Sequence, residues 1–153
     1  MKIIVLAGGL STERDVSLSS AAGICRTLVE KGHDAFLLDV FMGLENAPEN
    51  LEDVFTLPDH GLEIVKNIST EEPDLEAVKA SRPDQSDCFF GPNVIELCRL
   101  ADITFLGLHG GEGENGKLQA SFDLLGIKYT GPDSLGWLQC TKVLQSRFSL
   151  SLA

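Results

Sequence analysis

The run Lys2-Ile3-Ile4-Val5-Leu6-Ala7-Gly8-Gly9 decides the fold. It is apolar and β-branched without alternation, as in a parallel strand covered on both faces. Two glycines break it where a signal peptide would continue toward a small-residue cleavage site. The run therefore predicts a first buried strand, Lys2 to Ala7, that leads into a loop. From Asp15 to Gly32, Val16, Leu18, Ala21, Ala22, Cys25, Leu28 and Val29 recur at steps of three and four, with Arg26, Glu30 and Lys31 opposite them. That spacing predicts an amphipathic helix ended by Gly32. A second apolar run, Ala35 to Phe41, completes strand, helix and strand within the length of a βαβ unit, so the sheet is expected to be parallel.

Beyond Phe41 the pattern loosens. Residues 43 to 91 contain Pro48, Pro58, Pro73 and Pro83 with many acids, and the weak alternation at Leu62-Glu63-Ile64-Val65 suggests an extra hairpin or edge strand. Regularity returns with helical spacing from Asn93 to Leu100 and a buried-type strand from Asp102 to Leu108. A helix is expected from Lys117 to Leu125, ended by Gly126, then a short strand from Ile127 to Thr130 and one more helix from Ser134 to Gln145. The whole reads as α/β: an open, mainly parallel sheet with helices on both faces.

A chain of 153 residues with 43% hydrophobic content suffices for one compact domain, and the acidic middle reads as an insertion within it. The net charge of −11 argues against nucleic acid as a partner, because no basic stripe exists to release phosphate counterions. It disfavours an anionic membrane surface too, and no apolar run approaches the roughly 20 residues of a spanning helix. Cys25, Cys88, Cys98 and Cys140 form no C-x-x-C pair and have no histidine at metal-ligand spacing, which favours reduced thiols in a cytoplasmic protein.

Ligands of open parallel sheets gather beyond the carboxyl ends of the strands, so residues 8–15 and 109–116 are the loops of interest. In the first, Gly8 and Gly9 let the backbone approach a ligand, Ser11 or Asp15 is a plausible helix cap, and the helix start can hold an anion. Its spacing is neither the G-x-G-x-x-G dinucleotide fingerprint nor a Walker loop. Glu13 could hold a ligand ammonium beside backbone donors that hold a carboxylate, a combination suited to an amino acid. Taken alone, it is better read as complementing the helix dipole. The second loop, His109-Gly110-Gly111-Glu112-Gly113-Glu114-Asn115-Gly116, has four glycines in eight residues. A lone histidine at a strand end is more often structural than active, but two such loops on one sheet edge shift the balance toward a site.

Together, G-G-x-S-x-E-R-[DE]-V-S-L-x-S (Gly8 to Ser20) and F-x-x-L-H-G-x-x-G-E-[ND]-G-x-L-Q (Phe105 to Gln119), followed by Tyr129-Thr130-Gly131, resemble the amino-terminal domain of D-alanine-D-alanine ligases of the ATP-grasp superfamily. The likeness is close over residues 2–41 and 93–131. It implies a Rossmann-like preATP-grasp fold over residues 1–131, with 132–153 beginning a linker to an ATP-grasp domain. It also implies a peptidoglycan-building reaction: ATP and magnesium phosphorylate one D-alanine, and the amine of a second attacks the acyl phosphate. By the resemblance, Glu13 would bind and orient the ammonium of the first D-alanine. Val16, Ser17, His109 and Gly110 would line its pocket, Glu114 would brace the glycine loop, and the protein would be a homodimer.

The chain departs from this pattern after Gly131, where the family typically continues to Met-Asp-Lys. Lys142 is either that phosphate-reaching lysine displaced by one residue or an exposed helix residue without a ligand. The resemblance places the nucleotide cleft, the magnesium carboxylates and the second D-alanine in domains beyond this stretch, so the 153 residues alone are expected to lack ligase activity. A non-catalytic amino-acid-binding or regulatory module is the alternative reading. Choice of D-alanine, D-lactate or D-serine as second substrate would lie outside these residues.

Overall fold

The computed structural model describes residues 1–66, 68, 72–110, 113 and 115–134. Three parallel strands, β1 (Lys2–Ala7), β2 (Asp34–Asp39) and β3 (Ile103–Leu106), lie in the order β2-β1-β3. Ile4 is paired with Phe36 on one side and Thr104 on the other. Being central, β1 is buried from Ile3 onward, which explains its lack of alternation.

Successive β1 side chains enter opposite layers. Ile3, Val5 and Ala7 meet α1 (Arg14–Glu30) through Leu18, Ala21, Ala22 and Cys25. Ile4 and Leu6 meet α3 (Val94–Leu100) and α4 (Lys117–Leu125), where Leu97, Leu118 and Phe122 are fully or almost fully buried. Each such side chain contributes on the order of 1.5–3 kcal/mol of apolar transfer. Helices therefore cover both faces, as the sequence implied.

Glycine and asparagine punctuate these elements where the backbone turns left-handed. Gly126 ends α4 at φ 67°, and Asn93 precedes α3 at φ 63° while its side-chain amide donates to the Leu44 carbonyl at 2.8 Å. Past α4, Thr104 donates to the Lys128 carbonyl and accepts from the Thr130 amide. The expected strand at Ile127–Thr130 amounts to one bridge, Thr104 with Tyr129. Pairing stops there because the Leu106 amide turns to the Thr130 hydroxyl, 3.1 Å away. β3 is likewise shorter than expected, and the chain leaves it at Gly107.

The suggested strand at residues 62–65 is instead a 3-10 turn, Leu62–Val65, and a second such turn spans Leu51–Thr56. Gly61 enters the former at φ 73°, and a Cβ there would lie 2.1 Å from the Leu37 carbonyl oxygen. The preceding residue, His60, accepts from the Leu37 amide at 2.9 Å through its own carbonyl. Its Nδ1 lies 3.1 Å from the Ala35 carbonyl, and since that partner only accepts, Nδ1 carries the proton. One helix of the acidic middle was not anticipated: α2 (Leu75–Ser81), capped by the Asp74 carboxylate on the Glu76 and Ala77 amides. Of the helix expected over Ser134–Gln145, all but its first residue lies outside the described residues.

Candidate functional site

From β1 the chain crosses to α1 on one face of the sheet, and from β3 it continues to α4 on the other. The carboxyl ends of these adjacent strands therefore form a topological switch point, the crevice in which open α/β sheets take ligands. Residues 8–13 and 107–110 meet there.

Two serine hydroxyls join the loops. At the base, the Ser17 hydroxyl accepts from the Gly8 amide at 3.0 Å and donates to the Gly107 carbonyl at 2.8 Å. Ser17 is fully buried, so a ligand in the crevice would reach it only through the loops it joins. Nearer the tip, the Ser11 hydroxyl donates to the His109 carbonyl at 2.8 Å. Ser11 therefore does not cap α1. That role falls to Glu13, whose backbone carbonyl accepts from the Ser17 amide at 2.9 Å and whose side chain caps nothing. Asp15 lies inside the first turn.

The Glu13 carboxylate is exposed at the mouth of the crevice and turned toward the second loop. A Cβ placed on Gly110, where φ is +68°, would stand 3.5 Å from Glu13 Oε2 and 3.6 Å from Ser11 Oγ. A side chain at 110 would occupy the space directly before the carboxylate. Val16 is 61% exposed on the first turn of α1. His109 is half-buried at the strand end. Glu13 and Gly110 thus face each other across one opening, with Ser17 beneath it and the His109 carbonyl tied to Ser11 beside it. Glu114 and Lys142 lie outside the described residues.

Sequence reasoning missed the charged pair under the first loop. Arg14, the first residue of α1, turns inward; its Nη1 donates to the Gly9 carbonyl at 2.8 Å and its Nη2 forms an ion pair with Asp39 Oδ2. Asp39 Oδ1 accepts from the Phe41 and Met42 amides at 2.9 and 3.1 Å and, more weakly, from Gly9 at 3.4 Å. Gly8 is obligatory here, since its φ is +74° and a Cβ would lie 2.6 Å from the Asp39 carboxyl carbon. An arginine at a helix start, against the dipole, was the available signal.

An open concavity of about 280 Å³ lies beyond Leu10, between Phe41 and α2, and neither Glu13 nor His109 lines it. Among the described residues, no group of three His, Cys, Asp or Glu side chains could hold a metal ion, and no helix is long and apolar enough to cross a membrane.

Residues 2–132 match the family described as D-ala D-ala ligase N-terminus. The chain is 48% identical over 135 residues to a D-alanine–D-alanine ligase of Lacticaseibacillus casei (strain BL23), covering 88% of this chain and 37% of that protein. With a D-alanine–D-alanine ligase of Pediococcus pentosaceus it shares 50% identity over 140 residues, covering 88% of this chain and 38% of the relative. The crystal structure of VanG D-Ala:D-Ser ligase from Enterococcus faecalis aligns with a TM-score of 0.55 at 25% identity, over 99% of this chain and 41% of that one. The chain thus spans less than two fifths of the curated relatives named.

Proposed function

Since the chain belongs to the D-ala D-ala ligase N-terminus family, we propose that it is the domain that holds the first D-alanine in an ATP-dependent D-alanine-D-alanine ligase. The observation that carries this reading is the Glu13 carboxylate facing Gly110 across the β1–β3 crevice. An amino acid is a small zwitterion and needs one fixed anion, one set of donors and little else. Glu13 supplies the anion for its ammonium, and the first turn of α1 supplies a positive dipole end for its carboxylate. Val16 offers the methyl group an apolar wall, and His109 and Gly110 close the opposite side. Ser17 keeps the two walls in register.

In this role the domain acts by positioning. The carboxylate that reacts must stand in one place while a second amine approaches, and orientation of that kind accounts for much of the acceleration in a two-substrate ligation. The described residues contain neither a three-ligand metal cluster nor a Walker loop, so none is assigned to ATP or magnesium. By the resemblance alone, Glu114 would brace the glycine loop and Lys142 would reach toward nucleotide phosphate. Also by resemblance, residues 132–153 lead into the ATP-grasp domain, and the enzyme is a cytoplasmic homodimer.

The test is titration of the 153-residue chain with D-alanine, followed by amide resonances. Shifts are expected at Glu13, Val16 and Gly110, with L-alanine binding more weakly. Glu13→Gln should weaken D-alanine about tenfold or more, the scale of one hydrogen bond to a charged group. Saturating D-alanine that leaves residues 8–17 and 109–110 unmoved would sink the proposal.

A further inference from the structure

The geometry points to a positioning role for the buried Arg14–Asp39 pair: it fixes the Gly8–Gly9 turn and so sets where Glu13 stands in the crevice. The inference rests on Glu13 being the group that takes the ligand ammonium.

Stability alone does not account for this pair. Arg14 is 9% and Asp39 2% exposed, so both ions are largely stripped of water. Burying two charges costs about as much as their attraction returns, and an apolar pair of similar volume often stabilises equally well. Placing the cation at the positive end of α1 adds a further unfavourable term. What the pair supplies is geometry. Both peptide groups of Gly9 are engaged, its carbonyl by Arg14 Nη1 and its amide by Asp39 Oδ1. The same carboxylate is tied to the end of β2 through the Phe41 and Met42 amides. Asp39 Oδ2 has no hydrogen-bond partner, so the Arg14 ion pair is its sole compensation among the described residues.

Glu13 follows Gly9 by four residues and precedes Arg14 directly, so it sits between a turn and a side chain that brace each other. It is held besides by the Ser17 amide on its carbonyl and by Ser11, fastened to His109. Without the pair, Gly9 could rotate through the wide φ,ψ range open to glycine, carrying the first loop away from the second. Arginine is the fitting residue, because the two nitrogens of one rigid, planar fork reach a carbonyl and a carboxylate together, whereas lysine has a single nitrogen on a flexible stem.

The experiment compares the unaltered chain with Arg14→Lys and with the double variant Arg14→Met/Asp39→Asn. The readouts are D-alanine titration, thermal unfolding and amide hydrogen exchange. The double variant removes both charges, leaving neither uncompensated; the side-chain carbonyl that Asp39→Asn retains is still an acceptor for the β2-end and Gly9 amides, so what Gly9 loses is the Arg14 donor to its carbonyl. Its Tm is expected within about 3 °C of the unaltered chain, while its dissociation constant for D-alanine rises about tenfold or more. Exchange should quicken at Gly9 and Glu13 and stay unchanged in β1, with Arg14→Lys intermediate. Should the double variant not fold, Arg14→Lys is read by the same measurements. Unaltered D-alanine affinity at matched Tm overturns the proposal. If the unaltered chain itself ignores D-alanine, the functional reading fails separately and the exchange rates decide. Acceleration confined to residues 8–13 then upholds the positioning of Glu13, and unchanged rates overturn it.

Discussion

Replacing Ser17 by alanine removes one oxygen atom and unstitches two loops. The hydroxyl lies fully buried between the Gly8 amide at 3.0 Å and the Gly107 carbonyl at 2.8 Å. Alanine leaves the Gly8 N–H without this acceptor in a place water does not reach, and an orphaned buried donor costs about 1–3 kcal/mol. The carbonyl loses a donor as well, which places the expected loss near the middle of that range, about 2 kcal/mol. For a chain of this size the corresponding fall in Tm is about 4–8 °C. Urea unfolding monitored by circular dichroism measures the loss directly, provided the slope of free energy against denaturant stays constant. Ser19→Ala, on the exposed side of the same helix, is the control and should change stability by less than about 0.5 kcal/mol. D-alanine affinity should fall with Ser17→Ala and not with Ser19→Ala. A Ser17→Ala chain matching its control in both measurements would refute the idea that this hydroxyl joins the loops.

Two other perturbations probe the core. Phe122 is fully buried with its ring 6.1 Å from Phe90 and 5.9 Å from Tyr129; Phe122→Ala should cost about 3–5 kcal/mol in urea unfolding, and a loss below about 1 kcal/mol would contradict its place in the core. Burial raises the Cys25 thiol to about 11 and Cys98 to about 12 from an ordinary 9.0, whereas Cys88 is exposed. Among the described cysteines, a thiol reagent near neutral pH should therefore modify Cys88 and spare Cys25 and Cys98 until the chain unfolds, as read by peptide mass. The linked pH effect has a definite sign. Above about pH 9 the unfolded thiols ionise while the folded ones keep their protons, so stability falls with rising pH toward 11 and 12. Cys25→Ser and Cys98→Ser together should lessen that slope, leaving above about pH 10 the share of Tyr129, whose phenol is pushed up by burial and by its bond to Asp123.

The sequence revealed what local chemistry determines. β1 was legible to the residue because an unbroken apolar run ending in two glycines has one good reading, and α4 because its periodicity runs cleanly into Gly126. The run at 62–65 misled because four residues cannot separate a period of two from one tight turn. α2 went unanticipated although Asp74, after Pro73, is a proper cap; its seven residues and single acid, Glu76, do not stand out from the acidic stretch around them. The site divided along the same line. Glu13, Val16, His109 and Gly110 are candidates from loop composition and resemblance, and of these the structure brings Glu13 and Gly110 face to face. Ser11 was read as a helix cap because its partner, the His109 carbonyl, is 98 residues away. The Arg14–Asp39 contact likewise exists only once β2 lies beside β1.

The turn at His60 has a consequence for the protein in the crowd of its own copies. β2 is the outer strand beside β1, and its run Ala35-Phe36-Leu37-Leu38 is the kind of apolar edge on which strands from other molecules add. The groups that such a strand would seize, the Leu37 amide and the Ala35 carbonyl, are taken by one residue's carbonyl and ring. Gly61 lets the backbone come that close. A single left-handed turn thus works as a terminator for the sheet, and how well this acidic chain escapes aggregation during synthesis depends on how soon after β2 residues 57–61 fold back over it.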